Sequence, residues 1–190
     1  NNDLPVKTVA ELVEYAKKNP GKLNYAEASA SQRLSGEMFN KLAGVKIERV
    51  PYKASPQALG DVASGQVQLM FPDLPQAMTQ IEAGRVRGLA TTGPTRTTVV
   101  PDLPAIAETV KGYSLVYWLA VFAPAGTPAD IQKVLADAIG EAMKDPATAK
   151  AMTQGRMEIS PLPLQQFAAY VKEQTAWWTS EIKAAGIEPE

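Results

Sequence analysis

The chain has 190 residues, 45% of them apolar, with 19 basic and 20 acidic side chains and a formal charge of −1. That apolar content offsets ordering entropy and excludes global disorder, and the balanced charge lacks the concentrated basic footprint of a nucleic-acid binder. Histidine and cysteine are both absent, which removes disulfides, cysteine nucleophiles, the usual serine triad and the commonest zinc sets, while carboxylate-only metal sites and carboxylate acid–base pairs stay open.

No apolar run approaches the ~18 residues that a bilayer span needs. The chain opens Asn1-Asn2-Asp3, without a methionine, basic patch or apolar core of a signal peptide; a processed secreted protein and an excised fragment both fit. It closes on Glu188-Pro189-Glu190, a polar tail expected to fray.

Thr8 to Lys18 reads as the first helix. Thr8 and Glu11 make a capping box, Val9, Leu12, Val13 and Ala16 follow at helical spacing, and Asn19-Pro20-Gly21 ends the run. Four short apolar stretches come next: 22–26, 45–50, 66–71 and 86–91. They alternate with helical patterns over 31–42, 55–64 and 75–83. Leu34, Met38 and Leu42 form one stripe, Ala58, Leu59 and Val62 a second, and Ala77, Met78 and Ile81 a third; each reads as a buried seam. Gly44, Gly65 and Gly84 sit where glycine commonly closes a helix. This rhythm predicts an α/β fold with four largely parallel strands.

Prolines and glycines between residues 93 and 112 leave room for a short helix near 102–110. The apolar, aromatic stretch 113–122 reads as a strand that leaves the first lobe, with Trp118 packed near a lobe boundary rather than on solute. Thr127-Pro128-Ala129-Asp130 supplies a cap, an N1 proline and an acidic N3 residue. Ile131, Val134, Leu135, Ala138 and Ile139 then form a stripe expected to be buried. Asp145-Pro146 starts a further helix, 157–159 suits an edge strand, and a last helix follows Pro163. Its wide apolar side, carrying Phe167, Tyr170, Trp177 and Trp178, needs a substantial partner surface.

No phosphate loop, dinucleotide fingerprint or G-x-S-x-G elbow is present, and no paired carboxylates are positioned for acid–base work, so neither enzyme nor cofactor is expected. In an open α/β sheet, ligands lie beyond the carboxyl ends of the strands. Candidate ligand contacts are therefore Ser29, Ser31, Gln32 and Arg33 after the first strand, Lys53 after the second and Asp73 after the third. Hydroxyl, amide and basic groups beside helix starts suit an anion. Ser29 or Ser31 reads equally as a helix cap, Ser55 with Pro56 as cap and N1 proline, and Asp73 as a cap or an acceptor for a ligand hydroxyl or amine.

Several ordered blocks carry a family likeness. They are Asn24-Tyr25, Leu34-Ser35-Gly36-Glu37, Val50-Pro51-Tyr52-Lys53, Gly65 to Phe71, Ile81 to Arg87, Pro101-Asp102-Leu103-Pro104, and Trp118 followed by Phe122 to Pro128. Together they resemble the tripartite tricarboxylate transporter substrate-binding proteins, the Bug family, over essentially the whole chain. The resemblance implies a type II periplasmic binding-protein fold. Residues 5–115 would be one nearly complete α/β lobe, the second of the family, and 116–190 a crossover strand and C-terminal helices that complete the first. The N-terminal part of that first lobe would lie outside this sequence.

The function so implied is capture of a small organic anion, a di- or tricarboxylate or aromatic acid, in the periplasm for membrane transporter subunits, from a precursor carrying a signal peptide. The alternative is a truncated or degenerate homologue that self-associates through exposed first-lobe contacts. The chain departs from the family at the turn after Asn24-Tyr25, which is short and glycine-free here, where Glu27 would repel a carboxylate at short range. It departs also at Arg33, where the family commonly has histidine, at Ala54, where it has glycine, and at Pro72-Asp73, where it has Asp-Asn.

Overall fold

Helix α1 (Val9–Lys18) begins as its sequence dictates: the Thr8 hydroxyl accepts from the Glu11 backbone N–H at 3.1 Å. The Glu11 carboxylate reaches back one residue further than a capping box requires, accepting from Lys7 N–H at 2.6 Å. Strand β1 (Asn24–Glu27), helix α2 (Ala30–Ala43), strand β2 (Glu48–Pro51), helix α3 (Ser55–Ala63), the short strand β3 (Leu69–Met70) and helix α4 (Leu74–Glu82) follow. A 3-10 turn covers Ile106–Glu108, and α5 (Ala129–Lys144), α6 (Pro146–Gln154) and α7 (Leu164–Ala184) complete the order. This computed structural model describes residues 1–187; the expected frayed tail at 188–190 lies outside the described residues.

The three strands form one parallel sheet in the order β2-β1-β3. Tyr25 stands beside Arg49 and Leu69, and Ala26 beside Val50 and Met70. Since adjacent residues of a strand face opposite ways, this register sends Tyr25 toward one face and Ala26 toward the other. Ala26 packs with Ala58, Val62 and Val67, all nearly inaccessible, with Val50, Met70 and Val86 around them. On the opposite face Tyr25 lies beneath α2. A Cβ on Gly36 would fall 2.8 Å from the Tyr25 Cδ2 atom and closer still to Cε2 and Cζ, so only glycine admits the ring there. Tyr25 donates to Glu37 at 2.9 Å; burial, and then that bond, raise its phenol pKa.

The strands are shorter than expected, and specific side chains explain where they stop. Both backbone groups of Ile47 are held by the Asn40 side chain, at 2.9 and 3.0 Å, which delays β2 to Glu48. The Gln68 side chain accepts from Asn24 N–H at 2.9 Å, and the Gln68 carbonyl takes the Asn1 ammonium at 2.8 Å, leaving β3 only two residues. The expected fourth strand at 86–91 is reduced to one parallel bridge, Thr91 to Ala105. Its neighbour contains Pro101 and Pro104, which have no N–H to continue a ladder. The expected strand at 113–122 does not form: Leu115 N–H donates to Thr92 O at 2.8 Å and no ladder follows. No strand forms at 157–159 either.

Helix starts show two further corrections. Ser55 is the first residue of α3 rather than its cap; Ala54 is the cap and offers no side-chain bond. Likewise Pro128 caps α5, while the Thr127 hydroxyl turns back to donate to Pro124 O at 2.8 Å. Asp145 caps α6 as expected, accepting from Ala147 and Thr148 N–H at 3.0 and 2.9 Å. Gly44, Gly65 and Gly84 all adopt positive φ after their helices.

The chain divides into two units, Asn1–Tyr117 and Trp118–Glu190. The first contains the sheet and α1 to α4. Its stripe on α3 is buried as expected, that on α2 is buried at Leu34 and Met38 but open at Leu42, and that on α4 is only half-buried. In the second unit Trp118 is half-buried and meets Phe167 and Tyr170 edge-on, at 6.3 and 5.6 Å, while Phe122 also contacts Phe167. The α5 stripe, expected to be buried, is exposed at Ile131, Val134, Leu135 and Ile139. Helical spacing places these residues on one side, but burial also needs a surface opposite, and no described residue of α5, α6 or α7 is buried.

Candidate functional site

Because all three strands run parallel, their carboxyl ends lie on one edge of the sheet. The residues that follow, Ala28-Ser29, Tyr52-Lys53-Ala54 and Phe71-Pro72-Asp73, collect there, and α2, α3 and α4 each begin at that edge. A helix start leaves backbone N–H groups unpaired and carries a partial positive charge. The edge is therefore a donor-rich rim, built by topology rather than by a glycine loop.

Ser29 caps α2, its hydroxyl accepting from Gln32 N–H at 3.4 Å, and lies 3.0 Å from the Ser31 hydroxyl. Gln32 is only 3% exposed. Its carbonyl oxygen accepts from Ala28 N–H at 2.8 Å, and its Nε2 donates to the Ser55 hydroxyl at 3.0 Å. Gln32 thus ties the β1–α2 turn to the start of α3. Arg33 is half-buried in the first turn of α2. Lys53 is exposed and borders an open hollow with Val50, Pro51, Tyr52 and Gln57. Asp73 is half-buried at the cap position of α4, but its carboxylate caps nothing. Hydrogen bonds join Ser29, Ser31, Gln32 and Ser55; among the described residues they do not extend to Lys53 or Asp73.

Two residues gain a role that the sequence did not reveal. Glu27 is the last residue of β1 and is almost buried, with Arg49 Nη1 2.9 Å from its carboxylate. Its expected repulsion of an anion is therefore countered by a neighbouring guanidinium. Arg49 stands beside Tyr25 in register, so it shares a face with Tyr25 and Glu27; the strand alternation of residues 25, 27 and 49 is the signal that could have found it. Ser55, read as a helix cap, is instead bonded across to Gln32. Among the described residues no group of three or more acidic side chains is placed to hold a metal, and no helix is long and apolar enough to cross a membrane.

Solved structures share this architecture. Rpa4515 of R. palustris, solved with adipate, is 34% identical with a TM-score of 0.87, the chain covering 99% of itself and 64% of that protein. MatC of Rhodopseudomonas palustris, solved with bound malate, is 26% identical with a TM-score of 0.72, over 94% of this chain and 63% of MatC. A UPF0065 protein of Bordetella bronchiseptica is 32% identical over 184 residues, 97% of this chain and 55% of the relative. The chain thus spans little more than half the length of the curated relatives it matches. Its fold is that of the periplasmic binding proteins of this type, one parallel α/β sheet covering part of the relatives' length. The family described as the tripartite tricarboxylate transporter family receptor matches residues 1–187, and the chain belongs to that family, the Bug substrate-binding proteins.

Proposed function

We propose that this chain is part of a periplasmic solute-binding protein that captures a small organic carboxylate and presents it to membrane transporter subunits. The observation that carries the reading is likeness over 99% of the chain to a protein solved with adipate. The malate-bound relative points to the same chemical class. The donor-rich carboxyl edge supports it. Each helix start there favours an anion by about 0.3–1 kcal/mol, and Ser29, Ser31, Gln32, Arg33 and Lys53 are the groups placed by sequence to join in, with Asp73 as acceptor for a ligand hydroxyl or amine.

Calorimetric titration of the full-length polypeptide with adipate, malate, a tricarboxylate and an aromatic acid tests the reading. Ser29 and Ser31 spend one hydroxyl hydrogen on their mutual bond and leave one to donate, so Ser29→Ala combined with Ser31→Ala should weaken binding at least about tenfold, since one bond to a charged group contributes roughly 1.5–3 kcal/mol. Silence of the parent across that panel would overturn the carboxylate reading.

The second unit is read as the part of the family's first lobe that this chain contains, with residues 5–115 as the other lobe. Leu119, Val121 and Phe122, exposed by 70, 73 and 64%, would then receive the remainder of a family-length protein. The same open apolar surface favours a second reading, self-association of the 190-residue chain. Sedimentation separates them: a monomer over a hundredfold concentration range removes self-association.

A further inference from the structure

At the amino edge of the sheet, opposite the donor-rich rim, three side chains fasten the first six residues. The Arg87 guanidinium reaches three of their carbonyls. Nη1 donates to Val6 O at 2.5 Å and to Leu4 O at 3.3 Å, and Nη2 donates to Asn2 O at 3.4 Å. Asn1 Nδ2 donates to Val62 O and Ala63 O, at 2.8 and 3.3 Å, in the last turn of α3. Asn2 Nδ2 donates to Gly84 O at 2.9 Å, two residues beyond α4. A helix end leaves carbonyls without intrahelical partners, and the two asparagines serve that need for α3 and α4.

Arg87 is half-buried, and among the described residues no carboxylate pairs with it. Taking a charge out of water is costly unless its donors are satisfied, and here main-chain oxygens of residues 2, 4 and 6 satisfy them. A planar fork with five N–H donors spans three separate carbonyls better than the compact ammonium of lysine. We propose that residues 1–6 form a strap that opens and closes as one unit, with Arg87 as its clasp, and that the closed strap ties together the C-terminal ends of α3 and α4. Those helices pack on each other along their length, and both begin at the candidate rim.

The strap is also bonded to itself. Asp3 N–H donates to Asn1 Oδ1 at 2.8 Å, and Val6 N–H to Leu4 O at 2.8 Å. Its far end is set in the core by Val6, which is 3% exposed. A segment held at several points opens by releasing all of them, so losing one fastening removes most of the value of the others. Independent surface contacts would instead add.

Hydrogen exchange of the full-length polypeptide, followed by mass spectrometry, tests the strap. Arg87→Met keeps the apolar stem and should speed exchange over residues 1–7 at least about tenfold, the loss expected for one bond from a charged donor. A smaller rise is expected over 62–68 and 83–88, and none over 24–43, which holds β1 and α2. Asn2→Ala should speed exchange over 1–7 about threefold or more in the parent and by less than about twofold in the Arg87→Met background. Arg87→Lys keeps the charge without the fork and should stay within about threefold of Arg87→Met. Unchanged exchange over 1–7 in Arg87→Met overturns the clasp, and full protection in Arg87→Lys overturns the role of the fork. An equal rise over 24–43 overturns the strap as a separate unit, as do equal Asn2→Ala effects in the two backgrounds. If Arg87→Met does not fold, Asn2→Ala alone decides: a rise confined to 1–7 and 83–88 supports the strap, and no rise there overturns it. No solute enters the measurement, so the carboxylate reading stands or falls apart from it.

Discussion

Gly36→Ala tests the packing that orients α2, and with it the first edge of the candidate site. The added methyl carbon would lie 2.8 Å from Tyr25 Cδ2 and nearer still to two other ring atoms. The ring has nowhere to retreat. Tyr25 is 1% exposed, its hydroxyl is bound to Glu37 at 2.9 Å, and its edge meets Phe71 at 6.2 Å. Overpacking of this kind costs typically about 1–3 kcal/mol, and overlap with three atoms of a fixed ring places it at the upper end. Replacing a mid-helix glycine by alanine returns about 1 kcal/mol. The net expectation is a loss of about 2 kcal/mol, read in urea as a midpoint lowered by about 1 M with an unchanged slope. Gly60→Ala supplies the control, because that site in α3 has nothing within 4 Å of the added carbon. It should be neutral or stabilising by up to about 1 kcal/mol. An equal or raised midpoint for Gly36→Ala would refute the argument that contact with Tyr25 is what requires glycine.

Arg49→Met leaves the nearly buried Glu27 carboxylate without its guanidinium; since Arg49 itself is more than a third exposed, the cost in urea unfolding is expected at about 1–2 kcal/mol, below that of a fully buried pair. Trp118→Ala removes two edge-on aromatic contacts from a half-buried side chain and should lower stability by about 2 kcal/mol; an unchanged denaturation midpoint would show that those rings contribute nothing. The Asp145 carboxyl is held below its ordinary pKa, first by the Thr148 N–H and also by that of Ala147. A depressed folded pKa means that its stabilisation is present above the unfolded value and fades as pH falls through the folded one. Asp145→Asn should therefore flatten the acid limb of the helical circular-dichroism profile, and an unaltered limb would count against the cap.

Local chemistry was legible where it acts within a few residues. Thr8, Asp145 and the glycines after α2, α3 and α4 do what their sequence neighbourhood dictates, because capping and positive φ are decided inside one turn. The apolar spacing of Ala58, Leu59 and Val62 likewise sufficed, since a sheet lies opposite α3. The ordered family-like blocks conveyed the fold class, and the parallel sheet followed from strand–helix alternation.

Other features depend on partners distant in sequence. Strand length was one such matter: Asn40 captures both backbone groups of Ile47, and Gln68 and Asn1 divide the bonds that would have lengthened β3. A side chain competing for backbone groups leaves no trace in hydrophobic periodicity. Burial was another, as the exposed stripe on α5 shows: spacing selects a face, but only an opposing surface removes it from water. The site followed the same division. Polar residues after each strand are visible in the sequence, and parallel topology gathers them on one edge. Only the structure decided that Glu27 meets Arg49 across the strand pair, and that Gln32 spans 23 positions to Ser55. Those pairings depend on register and on the distance between two helix starts, which no local pattern encodes.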